Sequence, residues 1–485
     1  MEPTHLEARM APLDKGVRWG TASNLPLADP GFSAIPCPLG PARSAADRSR
    51  ADWRADVSAL VGSAATDRRY VLGWRHLQPE APGRWDRAAL DRCDRHLDSL
   101  LALGVDPWLT LLDVDLPAWA ERDGGWLNRR TAERFAAYAA EVGRRFGDRV
   151  QGWITSTELV APSVADHVLG MLPNDHGCAG EGVRSVHHVL LGHGLAAQAL
   201  RAAGVRGDVG TTSILISGYP ALDDPWDRSA VEDLEFWSNR LMLEPLLTGR
   251  HLATEEGYCP VFETGAVREG DLAAIATPLD TLALAWNSPM RVTSPENLPR
   301  LLPPSGLFES LNDANRVMAQ FGFALLPFDD LPTNGEGWPI MPEALADALA
   351  MLHDCYGSAL PPLRVSDSGM GLLQAGSDSV DPTPRRSALA AQLAWLADVV
   401  DSGVPLAAYE YWPLQDDHEW KYRYARRYTL PVDTDSLTPP PPIPRDWART
   451  GAFARHVAPT PDSPPTPDPH HTPGRSGRRL AAVPS

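Results

Sequence analysis

Two carboxylic acids, Glu158 and Asp367, end two short apolar runs and are the residues from which chemistry can be argued. Glu158 closes QGWITSTE and Asp367 closes LRVSD. Glycoside hydrolysis needs two carboxyls flanking one bond: one protonates the leaving oxygen, and the other meets the oxocarbenium-like centre, as nucleophile or as base on a water. In a chain with 62 acidic residues such pairs also arise by chance, so solvated loop acids are the competing reading. His187, His188 and His193 share one helical stretch with no acidic neighbour at metal-ligand spacing. They read as satisfied helix histidines, and no metal is expected there.

Acids on distant segments converge only if they end strands of one parallel barrel, where the C-terminal strand ends surround a single pocket. Apolar, β-branched runs fall at 17–20, 70–74, 107–112, 150–155, 209–214, 282–286, 363–367 and 406–411. Segments of helical period alternate with them at 87–103, 131–146, 186–203, 342–352 and 386–402, several followed by a candidate capping glycine: Gly104, Gly147, Gly204 or Gly403. This alternation predicts an α/β fold, a (β/α)8 TIM barrel, with the Pro-rich stretches 219–235 and 288–336 as βα loops. The expected plan is an N-terminal extension at 1–15, the barrel at 16–454 and a Pro-rich disordered tail at 455–485.

Composition removes several alternatives. A net charge of −18 argues against nucleic acid, which is bound through basic surfaces that release phosphate counterions. Five scattered cysteines without a CxxC pair speak against a disulfide framework. The absence of GxGxxG opening a βα unit, of GxxxxGK[ST] and of a cysteine cluster predicts no cofactor. With no apolar stretch of spanning length and no signal-type N-terminus, the expectation is a cytoplasmic protein with a small-molecule substrate and no membrane partner.

Ordered segments from Trp19 to Tyr428 resemble the successive signatures of family 1 β-glycosidases. VRWGTAS (17–23), RRYVLGWRHLQPE (68–80) and LTLLDVDLPAWAERDGGWLNRRTAERFAAYA (109–139) look like the first three strands with their neighbours. RVQGWITSTE (149–158), GWPIMPEAL (337–345), LRVSDSG (363–369) and YEYWPLQDDHEWKYRYARRY (409–428) follow in order. The resemblance implies Glu158 as acid/base, Asp367 at the nucleophile position and Arg69 as the arginine beside it. It likewise implies Trp412 as the aromatic floor under the sugar, Glu419 and Trp420 as the pair holding distal hydroxyls, and Trp338 as a further substrate contact. A carboxylate beside Arg⁺ stays ionised, and an indole face covers the apolar face of a sugar.

The departures from the family pattern gather at the same pocket. Asp367 and Ser368 replace Glu-Asn, Asp113 stands for a histidine, Thr157 for an asparagine, Asn287 for a tyrosine, and Asn24-Leu25 lie where a glutamine is expected. The lost methylene withdraws the Asp367 carboxylate by roughly 1 to 1.5 Å, toward the wider separation of about 6.5 to 9.5 Å that lets a water attack. Three readings follow: a glycosidase for a specialised glycoside such as a deoxysugar, a scaffold recruited to other acid/base chemistry in natural-product biosynthesis, or a glycoside-binding protein without activity.

Overall fold

A computed structural model of the chain describes Leu13 and residues 16–27, 67–113, 116–157, 179–251, 260–286, 288–301, 315–328, 330–333, 338–368 and 383–411. Eight of its strands close into a parallel barrel. In chain order these are β1 (Arg18–Pro26), β2 (Asp67–Val71), β3 (Asp106–Leu112), β4 (Gly152–Ser156), β5 (Asp208–Ile214), β7 (Thr281–Ala285), β10 (Leu363–Ser368) and β11 (Leu406–Tyr411). Around the closure the order is β1, β11, β10, β7, β5, β4, β3, β2. All eight expected runs are found in it.

The second strand lies earlier than the expected 70–74, at Asp67–Val71. Gly73 takes φ 79° and opens the short helix Trp74–Leu77, which carries Trp74 out of the sheet. Trp74 then packs between Trp119, Phe135 and Tyr138 in the core shared by β2, β3 and their helices.

Helices α1 (Arg87–Ala102), α2 (Arg130–Phe146) and α3 (Ala179–Ala202) cover the strands on one side, α4 (Ala344–Tyr356) and α5 (Thr383–Asp401) on the other. In α1 the Asp86 carboxylate accepts from the Ala89 amide, and Leu90, Cys93, Leu97 and Leu100 form the buried stripe. Gly104, Gly204 and Gly403 have positive φ beyond their helices, as expected of capping glycines. Gly147 differs: its φ is −65°, and an added Cβ would meet the Gly143 carbonyl at 2.4 Å, so crowding explains that glycine.

The stretches read as loops hold structure of their own. β6 (Gly218–Pro220), β8 (Met290–Thr293) and β9 (Ala324–Leu326) form a second, three-stranded sheet, and Pro225–Glu235 is helical. Asp227 ties these pieces together. Its buried carboxylate accepts from the Thr293 hydroxyl, the Ser294 and Leu222 amides and the Asn297 side-chain amide. Among the described residues, no helix is long and apolar enough to cross a membrane. Cys93 and Cys355 are free thiols, and burial pushes the Cys93 thiol up to about 12.

Candidate active site

At the C-terminal end of the barrel, Leu112–Asp113 and Ser156–Thr157 leave adjacent strands, because β3 and β4 pair with Leu112 opposite Ser156. The Thr157 amide donates to the Leu112 carbonyl at 2.9 Å, extending the ladder one residue. The Thr157 hydroxyl then donates to Asp113 Oδ1 at 2.6 Å. Two of the residues that depart from the family pattern therefore bind each other.

Arg69 is 1% exposed and lies inside the barrel. Its Nη1 donates to the Thr110 hydroxyl at 3.2 Å, and its Nε is 3.4 Å from Glu410 Oε2. The carboxylate described beside Arg69 is thus Glu410 of β11, which sequence reasoning missed. Asp367 lies in β10, next to its last residue, and its side chain is outside the described residues. Ser368 is turned toward the helices. It accepts from the Tyr409 hydroxyl at 3.1 Å and from Gln392 Nε2 at 3.2 Å, where the register of β10 on β11 shifts between Val365 and Ser368.

Below the mouth the interior is charged. Arg364 donates to Glu410 Oε1 at 2.6 Å and to Asp67 Oδ2 at 2.8 Å, while its guanidinium lies over the Trp108 ring at 3.8 Å. Arg364 and Trp108 are on strands that are not neighbours, so this contact crosses the interior. Burial opposes the Arg364 charge, yet Glu410 and Asp67 hold the guanidinium above its ordinary value. At the strand starts Arg18 joins Asp67 at 2.5 Å and Asp106 at 2.6 Å. Trp108, Ile154 and Ala283 complete the floor, and an added Cβ on Gly152 would lie 2.2 Å from the Trp108 ring. The signal for this cluster was present in the sequence as Arg364 and Glu410 inside apolar strands; the pairing is visible only once strand register is known.

Of the other expected site residues, Trp338 is half-buried and precedes Pro339, which forms a bridge with Thr333. Glu158, Asn287, Trp412, Glu419 and Trp420 lie outside the described residues. The histidines of α3 face different partners: His187 Nε2 donates to Asp271 at 3.0 Å, His188 Nδ1 to the Trp126 carbonyl at 2.8 Å, and His193 Nδ1 meets the Thr155 hydroxyl at 2.7 Å.

A family model described as glycosyl hydrolase family 1 matches residues 42–438. The chain belongs to glycosyl hydrolase family 1. It is 32% identical over 404 residues to thermostable beta-glucosidase B of Thermobispora bispora, covering 81% of this chain and 77% of that one. It is 30% identical over 422 residues to the bifunctional beta-D-glucosidase/beta-D-fucosidase of Bifidobacterium breve, covering 82% and 85%. Among solved structures, the family 1 β-glucosidase of Thermotoga maritima with isofagomine lactam superposes with a TM-score of 0.72 at 26% identity, covering 86% of this chain and 92% of that one. As a family 1 member the chain is a glycosidase-like hydrolase, which favours the hydrolytic reading over the other two.

Proposed function

We propose that this family 1 protein hydrolyses the O-glycosidic bond of a specialised β-glycoside whose sugar lacks one or more hydroxyls. The observation that carries this is the Thr157–Asp113 hydrogen bond. A site that hydrogen-bonds a hydroxyl discriminates strongly by leaving its own polar groups unpaired when the hydroxyl is absent. Here the Thr157 donor already has an acceptor in the protein, so a sugar without the matching hydroxyl strands no partner. The Bifidobacterium breve relative, named for fucosidase as well as glucosidase activity, supports the direction, since fucose is a 6-deoxy sugar.

In the reaction, Glu158 protonates the leaving oxygen, and Asp367 attacks the anomeric carbon or draws a proton from the attacking water. Trp412 and Trp338 supply aromatic surface, and Glu419 with Trp420 and Asn287 contact the remaining hydroxyls. The test is a panel of 4-nitrophenyl β-D-glucoside, β-D-fucoside and other deoxyglycosides. A deoxyglycoside should exceed the glucoside in kcat/KM by about tenfold. Equal or faster turnover of the glucoside would sink the deoxysugar assignment, and no turnover of any member would sink the hydrolytic one.

A further inference from the structure

Glu410 is 1% exposed, and only one of its oxygens is taken up by hydrogen bonds. Oε1 accepts from Arg364 Nε at 3.0 Å and Nη2 at 2.6 Å. Oε2 is buried without a hydrogen-bond partner and points at Arg69 Nε, 3.4 Å away. The charged groups facing this pair from the surrounding strands are Arg364 of β10, Asp67 of β2, Arg18 of β1 and Asp106 of β3. Asp208 of β5 interacts with Arg364, Arg18 and Asp67, and burial with Asp280 raises its carboxyl. Arg18, Arg69 and Arg364 are set against Asp67, Asp106, Asp208 and Glu410, so the buried charges of Arg69, Arg364, Asp67 and Glu410 each have an opposite charge beside them.

We propose that Glu410 is a positioning residue for the glycosidase reaction: it anchors Arg69 from below and weakens the positive field that this guanidinium presents to the carboxylate of Asp367. The inference rests on the reading of Asp367 as the carboxylate served by Arg69. A guanidinium within about 4–6 Å lowers a carboxyl pKa by roughly 1–3. A second carboxylate on the same guanidinium offsets part of that and leaves the reacting carboxylate more basic. The Thr110 hydroxyl holds Arg69 on the other side, so loss of Glu410 alters the field before it alters the position.

Glu410→Gln keeps the shape and an acceptor for Arg364 while removing the charge. With an activated aryl β-glycoside, the acidic limb of kcat/KM should move to lower pH by about one unit, because removing a negative charge favours the ionised form of the remaining carboxylate. An unmoved limb, with or without a lower Tm, overturns the inference and leaves Glu410 a structural residue. Should this variant fail to fold, Glu410→Gln with Arg364→Gln removes one charge of each sign. Arg364 sits level with Ala408, below Glu410, so a smaller shift in the same direction is expected. Asp367→Asn separates the two levels. Activity retained there overturns the reading of Asp367 and this inference with it, whereas activity lost there and an unmoved limb in the Glu410 variant overturn the inference alone.

Discussion

The Thr157 hydroxyl donates to Asp113 Oδ1 at 2.6 Å across the ends of two neighbouring strands. Backbone pairing fixes this geometry, since the Thr157 amide is bonded to the Leu112 carbonyl immediately before Asp113. Changing either member removes this bond, so under the proposed function the two positions are expected to act together on specificity.

Restoring the family residues together, Asp113→His with Thr157→Asn, is expected to move selectivity toward hexosides with free hydroxyls. The ratio of kcat/KM for glucoside over deoxyglycoside should rise by about tenfold or more. Either single change should give less than half of that effect on the logarithmic scale, because each leaves a broken pair. A ratio unchanged in the double variant would show that this corner does not meet the sugar.

At Asp367 the expected outcome is a choice between two products. If the carboxylate attacks carbon, Asp367→Asn removes activity and a 2-fluoro sugar with a good leaving group labels the peptide containing Asp367. If it activates water, the first-formed product has inverted configuration by NMR, and no adduct is seen by mass spectrometry. Full activity in Asp367→Asn would remove the residue from the mechanism.

The barrel was legible because each strand and helix carries its own period, and the eight runs need only alternate to close. The β2 boundary was not, because RRYVLGW is apolar past the point where Gly73 adopts positive φ and ends the strand. The sheet of β6, β8 and β9 escaped notice for a different reason. Its strands are 3 to 4 residues long and pair across segments remote in sequence, too short to show a period. At the site, Asp113 and Thr157 were singled out as departures from the family pattern, whereas their mutual bond and the Glu410–Arg69 approach depend on register. Both belong to tertiary structure rather than to local pattern.

Acid sensitivity follows from the buried histidines. Burial lowers His188 to about 4, His193 to about 3 and His251 to about 4, each from 6.5. The unfolded chain takes up these protons near pH 6.5 while the folded chain refuses them, so their stabilisation is present above 6.5 and is lost as pH falls toward 4 and below. Urea unfolding should show a loss of at least ~2 kcal/mol between pH 6.5 and 4.5. His188→Asn, which keeps a donor for the Trp126 carbonyl, should flatten that slope. A midpoint independent of pH over this window would mean that the imidazoles are not held neutral.

Gly152 links stability to the site through a short chain of contacts. Its added Cβ would lie 2.2 Å from the Trp108 ring, on which the Arg364 guanidinium rests at 3.8 Å. Arg364 holds Glu410, and Glu410 faces Arg69. In Gly152→Ala the indole must move, at a cost of about 1–3 kcal/mol for overpacking, and the displacement passes through Arg364 and Glu410 to the Arg69 guanidinium. A misplacement of about 1 Å can lower a rate on the order of 10²-fold, so a fall in kcat of about tenfold is expected with KM little changed. Gly104→Ala is the matched control: its φ of +73° makes a side chain unfavourable, but no atom lies within 4 Å of the added Cβ. It should cost about 1–2 kcal/mol and leave kcat intact at temperatures where both variants are folded. If the two variants lower kcat equally, Gly152 acts through stability alone, and the floor does not position Arg69.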